Sequence, residues 1–239
     1  MDSTWNTDAG RSRFLAAASH DLLQPLHVAR LLTGALRERP HDDRTQALLG
    51  QLDQALGAVD GLLLALLDLT RLDAGGTRAH PQPVNLGELM TGLVGPFQVL
   101  AAQRGLRLRL RPTRAQVVSD PALLRRILQN LVCNALRYTA SGTVLMGCRH
   151  RGDKVVVEIW DTGVGIAEDQ REVIFEEFHR GTNRPSEGPP GLGLGLAIVR
   201  RMARMLDHPI ETRSWPGRGS VFSLTLPIAT SFRSKSARN

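Results

Sequence analysis

The most restrictive feature of this sequence lies in its first third, where two stretches carry apolar residues at helical spacing. In the first, Leu15, Leu22, Leu26, Ala29, Leu32 and Leu36 follow one another at steps of three, four or seven. In the second, Leu48, Leu52, Leu56, Val59, Leu63, Leu66 and Leu69 follow at steps of three or four. That period lines one face of an α-helix or a coiled-coil seam. Residues 38–44, ERPHDDR, interrupt the pattern with Pro40 and a run of charges, a turn signal. Two antiparallel helices are expected. A lone helical hairpin cannot cover both of its apolar stripes, whereas pairing with a second copy into a four-helix bundle can. A homodimer is the physical expectation for residues 1–74.

Residues 75–83 are rich in Gly and Pro and read as a linker. Beyond it the pattern alternates. Residues 85–104 read as a helix with Asn85 as N-cap and Gly105 past its end. Residues 106–111 alternate Leu and Arg as a half-buried strand does. Asp120 followed by Pro121 marks the start of a helix running to about Tyr138. Residues 143–150 and 154–160 read as strands around the turn Arg151-Gly152-Asp153. A helix is expected over 192–206, and a closing pair of strands over 210–214 and 220–226. Strands flanked by helices point to an α/β sandwich over residues 84–228. The basic, polar end at 229–239 is expected to be a disordered tail.

Composition narrows the function classes. No apolar run reaches the length of a membrane span, and the polar start MDSTWNTDAGRSR is not a signal peptide. No membrane segment is expected in this chain. Two cysteines make neither a disulfide framework nor a metal site. The seven histidines lack metal-ligand spacing. The net charge of +7 comes from arginines scattered along the chain without interleaved aromatics. That scatter favours a basic surface over a nucleic-acid track. A cytoplasmic location is expected, though a longer parent protein could be anchored in a membrane.

His20 stands in the run Ser19-His20-Asp21-Leu22-Leu23-Gln24-Pro25-Leu26. At about 100° per residue it falls opposite the apolar stripe, with Gln24 on the same face. The carboxylate of Asp21 is placed to hold the ring Nδ1–H, leaving Nε2 as the nucleophile. Pro25 cannot donate to the carbonyl of Asp21, so a kink follows the histidine. An ordinary exposed histidine is the plainer reading of His20 alone, and His27 lies close to the same face. The flanking acid and the Gln-Pro pair separate the two.

Three segments of the second half form a constellation. Asn130 and Asn134, spaced i, i+4 in NLVCNALRY, share a helical face with Arg137 one step round. Amide oxygens can ligate Mg²⁺ alongside phosphates, and an arginine can neutralise phosphate charge. Asp161 opens DTGVGI directly after a strand; its carboxylate can accept from an exocyclic amine while Gly163 and Gly165 let a flat ligand approach. Gly191, Gly193 and Gly195 alternate with leucines ahead of a helix, where backbone N–H groups and the helix N-terminus suit phosphates. A GxGxG string is weak by itself. The P-loop GK[ST] is missing, and no strand immediately precedes the glycines, so neither a P-loop nor a dinucleotide fold is supported. Residues 181–190, with their prolines and glycines, read as a mobile lid.

These segments together resemble a known family. SHDLLQPL resembles the H box of sensor histidine kinases, NLVCNALRYT the N box, DTGVGI the G1 box, IFEEFHR the F box and GLGLGLAIV the G2 box. All five stand in the family's order, over residues 14 to 227. The resemblance implies a dimeric phosphoacceptor hairpin followed by a Bergerat-type ATP-binding α/β sandwich. It implies ATP and Mg²⁺ as cofactors, His20 as the phosphorylated residue and Asp21 as its assisting acid. Asn130 and Asn134 match the amides at Mg²⁺ and the phosphates. Arg137 matches a phosphate contact and Tyr138 an adenosine neighbour. Asp161 matches the reader of the adenine amine, with Gly163, Gly165 and Ile166 shaping that pocket. Arg180 matches a basic residue near the γ-phosphate. Gly191, Gly193, Leu194 and Gly195 match the lid hinge.

The implied activity is autophosphorylation of His20 and transfer to an aspartate on a response-regulator receiver domain. An upstream sensor domain, usual in the family, is not in this sequence. The H box reads HDLLQP, as in a subgroup often found in hybrid kinases, where the family commonly has Thr or Asn at the position of Gln24. Phosphatase activity is therefore an open expectation, as is the choice between transfer within a protomer and across the dimer. Two alternatives remain: a degenerate kinase acting as a dimeric docking scaffold, and another Bergerat ATPase of the gyrase, Hsp90 or MutL type. The intact Asn130, Asn134, Asp161 and glycine loops oppose the first. The H box on a helical hairpin opposes the second.

Overall fold

The computed structural model describes residues 26, 28–29, 31–37, 39, 42–52, 55–57, 59, 79–179 and 193–229. These fall into two compact units, residues 26–59 in the first and the remainder in the second.

In the first unit, helix is present at 31–37 and again at 43–52. Asp42 caps the second stretch: its side chain accepts from the Thr45 N–H at 3.0 Å and its carbonyl from Gln46 at 3.0 Å. Leu32, Leu36, Leu48, Leu52 and Val59 all belong to the two apolar stripes, and all are more than 40% exposed. These described positions of the stripes are thus exposed on the single chain, while Leu26, Ala29 and Leu56 are half-buried.

The second unit is a sheet with helices on one face. Strands β1 (Gln82–Asn85) and β3 (Gln116–Ser119) pair antiparallel as a small sheet. The main sheet has the order β2-β4-β5-β7-β6, formed by Arg107–Leu110, Thr143–Arg151, Lys154–Asp161, Gly219–Pro227 and Ile210–Trp215 respectively. Only β2 and β4 run parallel. Helices α1 (Leu86–Gln103), α2 (Pro121–Tyr138) and α3 (Gly195–Met205) and two single 3-10 turns (Glu168–Gln170 and Val173–Phe175) belong to the same unit.

Local chemistry explains the helix starts. Asn85 Oδ1 accepts from Gly87 and Glu88 N–H at 3.1 and 3.3 Å, an N-cap, and its side-chain amide donates to Glu88 Oε1 at 2.7 Å. Asp120 Oδ1 caps α2 through Ala122 and Leu123 N–H at 2.9 and 3.0 Å. Its Oδ2 accepts from the N–H of His80 at 3.0 Å. Burial works to raise the carboxyl of Asp120, but these backbone donors prevail and hold it below the ordinary aspartate value. That last bond fastens a residue of the expected linker to the sandwich, and β1 begins inside the same stretch.

The core lies between sheet and helices. Val144, Met146, Val155, Val157, Ile159, Leu224 and Leu226 alternate inward and are fully buried, as are Leu124, Ile127, Leu128 and Leu131 of α2. On the opposite face Glu158 accepts from Arg149 at 2.8 Å and from the Trp160 indole at 3.2 Å.

Helix α3 starts at Gly195, three residues later than its apolar pattern suggests. Gly193 takes φ +75, a left-handed conformation that an α-helix excludes.

Candidate functional site

The C-terminal end of β5 delivers Asp161, which is 8% exposed. Its Oδ1 accepts from the N–H of Gly163 at 2.9 Å and of Ser220 at 3.2 Å. Oδ2 has no partner among the described residues. Burial pushes the carboxyl above the ordinary aspartate value, and the two backbone bonds only partly oppose it. A desolvated carboxylate with one unengaged oxygen is a strong acceptor for a donor group on a ligand.

The loop after Asp161 is strapped on two sides. Towards α2, Val164 N–H donates to the Tyr138 carbonyl at 3.2 Å, and a Cβ on Gly163 would strike that same carbonyl. Towards the β6–β7 hairpin, Ile166 N–H donates to Ser214 Oγ at 2.7 Å and Gly217 N–H to the Val164 carbonyl at 2.8 Å. Gly165, at φ +70, packs against the Trp215 carbonyl with no room for a Cβ. The glycines are therefore required by close backbone approach.

Helix α2 carries Asn130, Asn134, Arg137 and Tyr138, all half-buried. Asn130 Nδ2 donates to the Arg126 carbonyl at 3.0 Å, turning Oδ1 away from the helix. A Cβ on Gly195 would lie 3.3 Å from Asn130 Oδ1 and 3.8 Å from Asn134 Nδ2. The fold thus brings both amides to the first residue of α3. No side chain caps that helix, which suits its N-terminal N–H groups to an anion. A rise of about 1.5 Å per residue separates Asn130 from Tyr138 by about 12 Å along the axis. The site is elongated, with Asp161 and Tyr138 at one end and Asn130, Asn134 and Gly195 at the other.

Gly193 and Leu194 lead into α3. Gly193 packs against the carbonyl of His179, so the chain leaves at His179 and returns at Gly193 in contact with itself. His179 Nε2 lies 2.9 Å from Gln170 Oε1. Of the residues singled out from sequence, His20, Asp21, Gln24, Arg180 and Gly191 lie outside the described residues, as does the lid at 181–190. Asp161 and Gly163 come together at the Tyr138 carbonyl, with Gly165 and Ile166 in the same loop; Asn130 and Asn134 come together at Gly195; Gly193 lies against His179 ahead of Leu194, and Arg137 shares the face of the two asparagines. Sequence reading missed Ser220, Ser214 and the Tyr138 carbonyl. The string Gly217-Arg218-Gly219-Ser220 carried a turn signal, but nothing in it announced a bond to Asp161.

Among the described residues no cluster of three His, Cys, Asp or Glu side chains could hold a metal ion. A closed protein cage is thus not built from them. The amide oxygens beside Gly195 fit Mg²⁺, which keeps several waters and takes most other ligands from phosphates.

Comparison with known proteins gives the class of both units. Residues 119–230 match the family model for "Histidine kinase-, DNA gyrase B-, and HSP90-like ATPase". The second unit is a domain of that class. Residues 10–75 match the "His Kinase A (phospho-acceptor) domain". The chain belongs to the sensor histidine kinases of two-component systems. It is 32% identical over 224 residues to the sensor-like histidine kinase SenX3 of Mycobacterium tuberculosis, covering 92% of this chain and 54% of SenX3. It is 28% identical over 231 residues to the aerobic respiration control sensor protein ArcB of Escherichia coli, covering 95% of this chain and 30% of ArcB. The crystal structure of full-length ShkA in complex with AMPPNP superposes with a TM-score of 0.71 at 26% identity, over 91% of this chain and 46% of ShkA. The chain spans about half the length of SenX3, and less of ArcB. No helix among the described residues is long and apolar enough to cross a membrane.

Proposed function

We propose that this chain is an ATP-dependent histidine autokinase that phosphorylates His20 and passes the phosphoryl group to an aspartate of a response regulator. The observation that carries the reading is the meeting of Asn130, Asn134 and Gly195 at one end of a site whose other end is the buried Asp161. A nucleoside triphosphate has that shape: a flat head with an amine, and an anionic tail. Asp161 Oδ2 accepts from the adenine amine, and Gly163, Gly165 and Ile166 form the wall beside the ring. Tyr138 borders the adenosine. Asn130, Asn134, Arg137 and the N-terminus of α3 hold the phosphates. Mg²⁺ beside the two amides would neutralise charge developing on the phosphoryl group. Gly191, Gly193 and Leu194 act as the hinge of a lid, and Arg180 meets the γ-phosphate.

In the reaction, His20 Nε2 attacks the γ-phosphorus. The N–P bond forms, the bond to the bridging oxygen breaks, and ADP leaves with that electron pair. Asp21 holds the Nδ1 proton, and Gln24 stands four residues on from the acceptor. We assign residues 1–74 to dimerisation and phosphoacceptance, 75–83 to a linker whose end from His80 onward is fastened to the sandwich, 84–228 to nucleotide binding and 229–239 to a tail. The exposed Leu32, Leu36, Leu48 and Leu52 support a homodimer, because such a stripe on one helical hairpin needs a second copy to cover it.

The test is incubation with γ-labelled ATP and Mg²⁺, comparing the native chain with His20→Ala and His27→Ala. Acid-labile, base-stable label lost only in His20→Ala is expected. Label lost in His27→Ala and kept in His20→Ala would move the acceptor. ATP binding without label in the native chain would replace catalysis with a scaffold role.

A further inference from the structure

We infer that Ser214 is a positioning residue for base recognition, acting on Asp161 through Ser220 and on the glycine loop through Ile166. The inference rests on the reading of Asp161 as the contact to the adenine amine. Ser214 lies on β6, is 1% exposed, and reaches Asp161 only through other residues. Its hydroxyl oxygen accepts from Ile166 N–H at 2.7 Å, lies 3.1 Å from the Gly219 carbonyl and 2.8 Å from Ser220 Oγ. A hydroxyl has one proton to give and two lone pairs to receive. Donation to Gly219 leaves Ser214 accepting from Ile166 and from the Ser220 hydroxyl, and all three bonds are then satisfied.

Each partner bears on Asp161. The Ser220 N–H donates to Asp161 Oδ1 at 3.2 Å. Gly219, at φ +101, packs so closely on the Asp161 carbonyl that a Cβ would collide with it. Ile166 ends the loop whose Gly163 N–H supplies the second bond to Oδ1. One buried hydroxyl therefore ties both donors of Oδ1 to a single point. With Oδ1 held twice, the orientation of the carboxylate, and with it the place from which Oδ2 accepts, is set. Arg171 steadies the same point from outside by donating to the Ser214 carbonyl at 2.8 Å.

The consequence is specificity. Loss of the Ser214 hydroxyl loosens the backbone that carries the two donors to Asp161 Oδ1, which weakens the bond to the amine and leaves the phosphate end untouched. The test compares ATP with purine riboside triphosphate, which lacks the exocyclic amine, by calorimetric titration of the whole chain. The native chain is expected to prefer ATP. Ser214→Ala is expected to weaken ATP about tenfold, a lost hydrogen bond's worth, and to change the analogue less than twofold. Ser214→Thr, which keeps the hydroxyl, is expected to restore the preference. Equal weakening of both nucleotides, or of neither, overturns the inference. A native chain that binds both equally removes the Asp161 reading, and this inference with it; native preference retained in Ser214→Ala overturns the inference alone. If Ser214→Ala does not fold, Ser220→Ala carries the test, since it keeps the N–H to Asp161 and loses only the hydroxyl link. A several-fold loss confined to ATP supports the inference, and unchanged ATP binding sinks it.

Discussion

Replacing Asp161 by Asn separates recognition from stability, because the structure predicts opposite signs for the two. Asn keeps an oxygen at Oδ1, so the bonds from Gly163 and Ser220 N–H at 2.9 and 3.2 Å survive. At the other position an NH₂ group replaces Oδ2 and opposes the adenine amine, donor against donor. A hydrogen bond to a charged group contributes about 1.5–3 kcal/mol, so ATP should bind about ten- to a hundredfold more weakly. Stability should move the other way. Burial raises the carboxyl of Asp161 above its unfolded value. Its contribution to stability is then full below the unfolded value of about 4 and is lost as pH rises through the folded value. At pH 7 the native fold carries a desolvated charge that Asn does not. The thermal midpoint of Asp161→Asn at pH 7 should equal or exceed the native one, with the difference vanishing at acid pH. Titration calorimetry with ATP and melting curves across pH measure both arms. Native-like ATP binding would remove Asp161 from base recognition. A lower midpoint at pH 7 would mean that the charge stabilises the fold, against the burial argument.

Three further outcomes follow from particular residues. Gly165→Ala and Gly217→Ala both place Ala at positive φ, +70 and +74, at about 1–2 kcal/mol each; only Gly165 faces backbone, with Trp215 C at 2.7 Å, while nothing lies within 4 Å at Gly217. Urea unfolding should show Gly165→Ala as the costlier by about 2 kcal/mol or more, and equal costs would refute the packing of this loop on β6. Leu52→Glu places a charge on a stripe that is 46% exposed in one chain, and sedimentation velocity should show a monomer; a persisting dimer would put the interface elsewhere. His208 is buried on Ser119 Oγ at 2.9 Å, and burial lowers its ring below the ordinary value despite the neighbouring Asp207. The stability it contributes is present above about pH 6.5 and lost as pH falls through the folded value, so His208→Asn should flatten the acid side of the melting-temperature profile; an unchanged profile would clear His208 of that role.

Features set within a few residues are legible in the sequence. Asn85 and the pair Asp120-Pro121 announce two helix starts because a cap needs only its own next turn. Period alone places Asn130 and Asn134 on one face, and Asp161 at a strand end. Strands β1 and β3 are not legible: each is four residues long, and their pairing joins Gln82 to Ser119 across a helix and a strand. Neither carries the alternation that marks a half-buried strand. The late start of α3 is hidden because the leucines around Gly193 continue the helical period, and only the contact with His179 shows why the backbone turns left-handed there.

The sequence by itself determined the chemistry available to this protein: an acid after a strand, two amides one turn apart, glycines ahead of a helix, and a histidine followed directly by an acid. Residue type and local period suffice for that, since both are properties of neighbours in the chain. Tertiary structure alone decided which of those groups meet. It set Gly195 against Asn130 and Asn134, and it closed Ser220 and Gly163 onto one oxygen of Asp161. It also buried that carboxylate far enough to raise it. Those outcomes depend on strand order and on how closely backbones approach, and partners that the sheet brings together from distant parts of the chain leave no periodic signal along it.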